Sequence, residues 1–248
     1  MRQCTVTESK RSRKYLTVVM PAYNEENIIY DNLFTVVADI EGFAGNYEII
    51  VVNDGSSDST REEVLRARKE NPRIKLISYK KNKGKGYAVR KGVLAADSEF
   101  TAFLDSDLDL PAYQLEGFLN KLKESGADIA IGSKLHKSSN IEYSAARRLM
   151  SYVYYMMVKT LFRLNVKDTQ TGLKLFRTEK IQPVFEKAVI NRFSFDIEIL
   201  ARANKAGLRI IELPVIIKPK RSSVRKSKIS VRQILIMIID TIKIRLSI

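Results

Sequence analysis

Two clusters of acidic residues have the spacing to bind a metal ion and a phosphorylated ligand. Asp105-Ser106-Asp107-Leu108-Asp109 follows one short apolar run, and Asn53-Asp54-Gly55-Ser56-Ser57-Asp58 follows another. Side chains two positions apart on an extended segment point the same way, so Asp105, Asp107 and Asp109 crowd like charges unless a cation lies among them. No His or Cys is near, and carboxylate oxygens suit Mg²⁺ or Mn²⁺. Taken alone, the cluster fits a solvated acidic loop equally well.

A basic, glycine-rich turn is the third feature that could bind phosphate. Asn82-Lys83-Gly84-Lys85-Gly86 precedes a predicted helix. Glycines allow the backbone to approach a ligand closely, and the N-terminus of a helix favours an anion. A turn with ordinary solvent-facing lysines would have the same composition. Together with the two acidic clusters, however, the turn indicates one pocket for a nucleotide diphosphate.

Short apolar runs alternate with amphipathic segments, and this order of elements would position the three clusters. Strand–helix alternation favours an α/β fold, with a mainly parallel sheet flanked by helices. Ligands of such sheets bind at the carboxyl ends of the strands, where all three clusters fall. The predicted strands are Leu16–Met20, Glu48–Asn53, Ile74–Tyr79, Phe100–Asp105 and Asp128–Gly132, and helices are predicted near 25–40, 59–70, 86–96 and 111–125.

After Gly132 the pattern changes to pieces that we interpret as additions to the same sheet. They are a helix-like run over 149–164, a polar loop entering an apolar turn over 168–176, a helix over 195–206, a basic loop over 218–228 and a last apolar helix over 231–246. The predicted organisation is therefore a basic flexible tail over 1–14, a catalytic domain over 15–217, and a basic loop with a membrane-interface helix over 218–248.

Most of the excess positive charge lies near the two ends of the sequence. The 248 residues include 43 Lys and Arg against 28 Asp and Glu, a net charge of +15. Residues 1–14 hold five basic residues and one acid, and residues 218–248 hold nine and one. Such charge suits an anionic lipid surface or a nucleic acid. With 45% hydrophobic residues, the composition excludes wholesale disorder.

The apolar segments are too short to predict a membrane span. The longest uninterrupted run of aliphatic residues and methionine, Ile234 to Ile239, has six residues, whereas a spanning helix needs about 20. Charged residues interrupt the last helix, which is therefore expected to lie in the membrane interface. A helix packed on the protein core, or on a second copy, is the alternative. The single Cys4 and the lack of an apolar signal segment predict a reducing, intracellular compartment.

Four motifs, in this order, resemble glycosyltransferase family 2. They are Val19-Met20-Pro21-Ala22-Tyr23-Asn24-Glu25, Val51-Val52-Asn53-Asp54-Gly55-Ser56-Ser57-Asp58, Asn82-Lys83-Gly84 and Asp105-Ser106-Asp107. Further on, Asp168-Thr169-Gln170-Thr171-Gly172-Leu173-Lys174-Leu175-Phe176 and Phe195-Asp196-Ile197-Glu198 are similar to the branch that glycosylates polyprenyl phosphates, most of all to its dolichyl-phosphate glucosyl members. The resemblance implies the Rossmann-like GT-A fold, with interfacial helices at the C-terminal end.

The resemblance also implies roles for individual positions. Asp54 would hold the base or ribose of the donor, and Asp105 and Asp107 would bind the metal and the diphosphate, with Mg²⁺ or Mn²⁺ as the cofactor. Asp109 stands where mannosyl members typically have Gln, and Lys134 where the family often has Arg. The remaining assignments are Pro21, Tyr23, Glu25 and Lys85 for the donor, Lys134, Arg147, Ser151, Arg225 and Lys228 for the acceptor phosphate, and Asp107, Asp196 and Glu198 as candidate catalytic residues.

The implied activity is inverting transfer of a hexose from a nucleotide sugar to a lipid phosphate. Glucose from UDP-glucose and a dolichyl or polyprenyl phosphate are the expected substrates, at the cytoplasmic face of a membrane. The protein would be peripheral, and a homo-oligomer or a membrane-protein partner would be compatible with this. GDP-mannose or another nucleotide sugar is the nearest alternative. A nucleotidyltransferase and a basic binding module are further ones, but the acids at three strand ends argue against a nucleic-acid partner.

Overall fold

A seven-stranded sheet forms the centre of the protein in the computed structural model, which describes residues 14–136, 155–217 and 231–248. The strand order is β3-β2-β1-β4-β6-β5-β7, and only β6 runs antiparallel to its neighbours. The predicted, mainly parallel sheet is confirmed. The strands are β1 Lys14–Ala22, β2 Tyr47–Asn53, β3 Ile74–Ser78, β4 Ser98–Leu104, β5 Ile129–Ser133, β6 Leu173–Arg177 and β7 Ile210–Pro214.

Helices cover both faces of this sheet. Alternate side chains of a strand point to opposite faces, so Val18 and Met20 of β1 join one apolar cluster and Val19 joins the other. The first cluster includes residues of α1, α2 and α4, and the second includes residues of α3, α5, α6, α7 and α8. The helices are α1 Ile29–Glu41, α2 Thr60–Glu70, α3 Lys85–Ala95, α4 Gln114–Ser125, α5 at 155–162, α6 Thr178–Glu186, α7 Phe195–Lys205 and α8 Val231–Ser247.

The parallel register of β1, β2 and β4 brings three loops to one edge of the sheet. Ala22 of β1 is level with Asn53 of β2, and Val19 is level with Phe103 of β4. The loops that follow these strands carry the acidic residues singled out in the sequence. Their carboxylates therefore meet at the carboxyl edge of the sheet, as the alternation of elements predicts.

One strand differs from the sequence prediction. Residues 168–176 were expected to form a polar loop and an apolar turn, but Leu173–Arg177 is the strand β6, inserted between β4 and β5. Lys174 stands in the middle of this strand with a fully buried side chain. A lysine among apolar residues conceals the alternation typical of a strand, because burial of a lysine requires a partner that the sequence does not reveal.

The last helix packs partly on the body of the protein. Thr241 and Ile244 of α8 are buried, whereas Ile239, Ile242 and Leu246 are exposed. The inner face of α8 is therefore packed on the protein, which was the alternative to a helix that lies only in the membrane interface. The exposed residues leave apolar side chains on the outer face of the helix. Among the residues that the structure describes, no helix is both long and apolar enough to cross a membrane.

Candidate active site

A cavity of about 430 Å³ opens at the carboxyl ends of β1, β2 and β4. Its walls come from the loops after these strands, from the turn before α3, and from the α6–α7 loop, which comprises residues 187–194. All of the predicted donor-binding residues lie on it. The lining residues are Pro21, Ala22, Tyr23, Glu25, Asp54, Asn82, Gly84, Lys85, Asp105, Ser106, Asp107, Arg192 and Phe193.

The loops after β1 and β2 fix each other. The Ser57 N–H donates to Asn24 Oδ1 at 2.9 Å, and the Asn24 N–H donates to Ser56 Oγ at 3.0 Å. Asn24 has a left-handed φ of 55°, a conformation that asparagine tolerates better than most residues. These bonds hold Tyr23 and Glu25 at the rim of the cavity.

Asp54 holds the turn before α3 in place. Its carboxylate accepts hydrogen bonds from the Lys83 N–H at 2.8 Å, the Gly84 N–H at 2.9 Å and the Tyr79 hydroxyl at 2.8 Å. Burial, together with the Asp54 carboxylate, raises the pKa of Tyr79, which therefore stays protonated as a donor. Asp54 thus connects β2 to the basic turn, and its predicted contact with the donor stays a prediction.

Gly84 allows the α6–α7 loop to lie directly against this turn. It has a left-handed φ of 101°, and a Cβ there would lie 2.5 Å from the Asn191 carbonyl oxygen. The same carbonyl accepts the Tyr87 N–H of α3 at 3.1 Å. The glycine in this turn is therefore needed for close packing between the turn and the α6–α7 loop, independently of any ligand.

A lysine and two aspartates form the charged floor of the cavity. Lys85 Nζ, from the first residue of α3, lies 2.7 Å from Asp105 Oδ1, and Asp107 lines the same space. Burial would lower the pKa of Lys85, but the carboxylates of Asp105, Asp196 and Asp107 raise it above its ordinary value. Lys85 is therefore a charged ammonium group that a diphosphate in this cavity would meet.

The third acid of the cluster does not line the cavity. An extended segment over 105–109 would point all three carboxylates the same way, but β4 ends at Leu104 and Leu108 has a left-handed φ of 50°. The chain turns at Leu108. The Asp109 N–H donates to Asp107 Oδ1 at 3.2 Å. The expected row of three carboxylates on one side of the segment is therefore wrong.

The carboxylates fit a divalent cation that shares its ligands with a substrate. In the described part of the chain, no three His, Cys, Asp or Glu residues are grouped to hold a metal. Asp105 and Asp107 supply two hard oxygen donor groups, and Mg²⁺ usually binds one or two carboxylates plus substrate phosphates. Asp105 is positioned by Gly172, whose carbonyl accepts the Asp105 N–H at 3.1 Å.

Gly172→Ala is expected to lower activity by about a hundredfold while the protein stays folded. A Cβ at this position would overlap the Asp105 carboxylate. The carboxylate would have to move, and a displacement of about 1 Å at a reacting centre can reduce the rate about 10²-fold. The measurement is steady-state transfer alongside thermal unfolding. Gly117→Ala on α4 is the matched control, because nothing lies within 4 Å of its added Cβ. Equal activity of the two variants would contradict the role of Gly172.

Asp196 lies in a buried ion pair and does not line the cavity. Lys174 Nζ is 2.6 Å from Asp196 Oδ1 and 2.6 Å from the Thr171 carbonyl oxygen, and the two side chains are 2% and 5% exposed. Burial raises the pKa of Asp196, opposed by Lys174 and Lys85. The ring of Phe103 lies near both ammonium groups, with its centroid 5.5 Å from Lys174 Nζ and 5.2 Å from Lys85 Nζ. The buried ion pair is therefore close to the charged floor of the cavity.

Glu198 is fully buried and holds the α6–α7 loop. Its carboxylate accepts the Val189 N–H at 3.0 Å, the Ile190 N–H at 2.7 Å and the Arg202 Nε–H at 2.8 Å. The carboxylate of Glu198 is thus hydrogen-bonded both to the backbone of the loop and to a side chain of α7. In the structure, Glu198 thus positions the loop that carries Arg192 and Phe193 to the cavity.

Only one of the five residues predicted to bind the acceptor phosphate lies in the part of the chain that the structure describes. Lys134 is half-buried after β5, and its N–H donates to Asp168 Oδ2 at 2.9 Å. It is not among the residues that line the cavity. The other four, which are Arg147, Ser151, Arg225 and Lys228, lie outside the described residues.

Sequence reasoning missed Arg192 and Phe193. Both line the cavity, although they belong to a loop far along the chain from the two acidic clusters and the basic turn. The signal available was a cation beside an aromatic residue immediately before the predicted helix at 195–206. Such a pair is common on any surface, and only the fold shows that it faces the cavity.

Comparison with solved structures shows the fold. Glucosyl-3-phosphoglycerate synthase from Mycobacterium tuberculosis, in complex with Mn²⁺, uridine diphosphate and phosphoglyceric acid, superimposes with a TM-score of 0.65 and 18% sequence identity. The match covers 94% of this chain and 78% of that one. The predicted GT-A fold is confirmed by this likeness and by the mainly parallel sheet.

Curated proteins with closely related sequences include several dolichyl-phosphate beta-glucosyltransferases. The one from Dictyostelium discoideum is 32% identical over 214 residues, which cover 81% of this chain and 65% of that protein. One from Trichomonas vaginalis is 32% identical over 244 residues, covering 94% of this chain and 71% of that protein. This chain therefore spans roughly two thirds of the length of these relatives.

The family model for glycosyl transferase family 2 matches residues 17–185. This range contains all three acidic loops and the basic turn before α3. The family model covers more than half of the chain, and Lys85, Asp105 and Asp107 of the cavity lie within the matched range. The chain belongs to glycosyl transferase family 2.

Proposed function

We propose that this protein transfers glucose from UDP-glucose to dolichyl phosphate or a related polyprenyl phosphate, inverting an α-linked donor to a β-linked lipid-phosphate sugar. The observation that carries the proposal is the 32% identity to dolichyl-phosphate beta-glucosyltransferases over up to 94% of the chain. The cavity supports it, because Lys85, Asp105 and Asp107 meet there.

A phosphate acceptor needs no enzymic base. The second pKa of a phosphate monoester is about 6, so at pH 7 the acceptor is mostly a dianion and a competent nucleophile. This agrees with the positions of Asp196 and Glu198, whose carboxylates are buried and occupied by Lys174 and by backbone N–H groups. The work of the protein is then to bring two anions together in line.

The departing diphosphate would be stabilised at the floor of the cavity. Lys85 supplies a fixed ammonium group on the first turn of α3. Asp105 and Asp107 would hold Mg²⁺ or Mn²⁺, and when bound this cation neutralises charge on the diphosphate. Pro21, Tyr23, Glu25 and Asp54, which line the same cavity, would contact the nucleoside.

The acceptor phosphate would bind to cations from the second half of the chain. Lys134 at the end of β5, together with the further candidates Arg147, Ser151, Arg225 and Lys228, would provide that site. We place the protein at the cytoplasmic face of a membrane, as a peripheral protein. The exposed Ile239, Ile242 and Leu246 of α8 support this placement, because they offer an apolar face to lipid.

The test is transfer of radiolabelled sugar to an added acceptor. Transfer to a prenyl phosphate is read as label in the organic phase, and transfer to water-soluble 3-phosphoglycerate as a labelled product separated from the donor by chromatography. UDP-glucose and GDP-mannose are compared as donors, and farnesyl phosphate, a longer polyprenyl phosphate and 3-phosphoglycerate as acceptors, each with Mg²⁺, with Mn²⁺ and with EDTA. We expect metal-dependent transfer of glucose to both prenyl phosphates and none to 3-phosphoglycerate. Transfer from GDP-mannose alone would replace the donor, and transfer to 3-phosphoglycerate alone would overturn the lipid acceptor.

A further inference from the structure

The α6–α7 loop presents a cation and an apolar ring to the cavity. Arg192 and Phe193 both line it, and the Phe193 side chain is 65% exposed. Val189 of the same loop is also exposed, at 56%. No ion pair joins Arg192 to a carboxylate in the part of the chain that the structure describes. The loop therefore offers both groups to a ligand.

The loop is held firmly by three separate elements. Glu198 of α7 accepts the Val189 and Ile190 N–H groups, and the Asn191 carbonyl accepts the Tyr87 N–H of α3. The next anchor is Ser194, whose hydroxyl donates to Asp240 Oδ2 of α8 at 2.9 Å.

The residue that follows the loop anchors it in the core. Phe195 is buried and stacks edge-on against Phe103, with ring centroids 5.9 Å apart. The exposed ring of Phe193 is thus carried on backbone that is fixed before and after it. An apolar side chain on a rigid loop beside a charged cavity is well suited to contact a ligand. Binding then costs little conformational entropy, because the backbone of the loop is already ordered.

The anchor on α8 connects the loop to the helix whose outer side carries exposed apolar residues. Asp240, which accepts the Ser194 hydroxyl, directly follows Ile239, and Ile242 lies two residues further on. Both isoleucines are exposed. The Ser194–Asp240 hydrogen bond thus ties the loop that carries Phe193 to the helix that carries these exposed isoleucines.

We propose that the α6–α7 loop recognises the lipid substrate, with Phe193 packing against the first isoprene unit and Arg192 binding a phosphate next to it. The inference rests on the proposed function and adds two binding residues to it. A guanidinium group suits the phosphate of either substrate, the diphosphate of the donor or the monophosphate of the acceptor. The stem of Arg192 lies close to Gly84, since a Cβ on that glycine would be 3.1 Å from Arg192 Cγ.

The test of Phe193 compares Phe193→Ala with Phe193→Leu. For Phe193→Ala we expect the KM for farnesyl phosphate to rise about tenfold, because an apolar contact of this size is lost. For Phe193→Leu we expect a change of about threefold or less, because most of the apolar area remains. The Kd for UDP, measured by calorimetry with Mn²⁺, is expected to stay unchanged in both. Leu94→Ala on α3, an exposed apolar residue away from the cavity, is the control.

Arg192→Gln separates the two sources of phosphate. A raised KM for farnesyl phosphate with an unchanged Kd for UDP assigns Arg192 to the acceptor, and a raised Kd for UDP assigns it to the donor. Both results support a phosphate ligand. Unchanged values of both would overturn the role of Arg192.

The outcomes also separate this inference from the proposed function. If the unaltered protein transfers sugar to no prenyl phosphate, the proposed function fails. If it does transfer, but Phe193→Ala leaves the KM for farnesyl phosphate unchanged or raises only the Kd for UDP, the lipid contact is overturned and the proposed function stands. Thermal unfolding of each variant checks that the exposed positions leave the fold intact.

Discussion

Asp105→Asn and Asp107→Asn are each expected to lower metal-dependent transfer by about a thousandfold. Both carboxylates line the cavity, and Asp105 also pairs with Lys85 at 2.7 Å. Asparagine keeps the shape of the side chain but removes the charge that a divalent cation requires, and loss of several kcal/mol of charge stabilisation corresponds to about three orders of magnitude in rate. The measurement is single-turnover transfer with saturating metal and donor.

A second readout separates metal binding from catalysis. Binding of Mn²⁺ in the presence of UDP, followed by electron paramagnetic resonance, is expected to weaken in both variants. Asp109→Asn is the matched control, because it removes a carboxylate from the same loop but from outside the cavity. Asn variants that retain normal Mn²⁺ affinity and normal rates would refute the assignment of the metal to this pair.

Breaking the buried pair of Lys174 and Asp196 is expected to destabilise the fold more than any other single change considered. Lys174→Met or Asp196→Asn leaves one buried charge without its partner, which costs about 3–5 kcal/mol of unfolding free energy. The double variant removes both charges and is expected to recover most of that loss. Chemical denaturation at pH 7 measures the three values. Single variants within about 1 kcal/mol of the original protein would contradict this prediction.

The pH dependence of Lys174→Met follows from the raised pKa of Asp196. Burial already raises that pKa in the intact protein, and loss of Lys174 removes the nearest charge that lowers it. A carboxyl group whose pKa is higher in the folded than in the unfolded state contributes stability at low pH and loses it as the pH rises through the folded value. The deficit of Lys174→Met is therefore expected to grow with pH, whereas the unfolding free energy of the double variant is expected to carry no pH dependence from this position.

The double variant also tests whether the pair serves the site. Asp196 is one of the carboxylates that raise the pKa of Lys85, so the buried pair influences the ammonium group on the cavity floor. If the pair orients Lys85, the double variant will be stable but will bind UDP more weakly than the original protein. Full recovery of both stability and UDP affinity would limit the pair to a structural role.

The first half of the fold could be predicted from the sequence because its signals are local. The five apolar runs up to Gly132 correspond to β1 to β5, and the acidic loops follow the strands that were predicted to carry them. Asp54, Asp105 and Lys85 line one cavity, as their positions at strand and helix ends require. Parallel strands bring their carboxyl ends together whatever the details of packing.

The remaining features depend on contacts between distant parts of the chain. Lys174 looks like a polar interruption in the sequence until Asp196 is seen beside it. The sequence leaves Glu198 open as a candidate base or as a helix cap or salt-bridge partner, and the fold shows that the Val189 and Ile190 N–H groups and Arg202 bind its carboxylate. Asp109 leaves the cavity because Leu108 takes a left-handed conformation, which the sequence does not announce. These outcomes are set by tertiary structure, and local patterns do not contain them.

The insertion of β6 between β4 and β5 has a consequence for the order in which the molecule folds. β1 pairs with β2 and β4, and β2 pairs with β3, so this half of the sheet can form as soon as its own residues are available. β5 joins this half of the sheet only through β6, because β6 pairs with both β4 and β5. Leu173–Arg177 of β6 follows β5 by about 40 residues in the chain. During synthesis on the ribosome, the β4 edge will therefore remain unpaired until β6 has been made, although it is an interior position of the finished sheet. That interval is when the nascent chain most needs protection from pairing with another molecule.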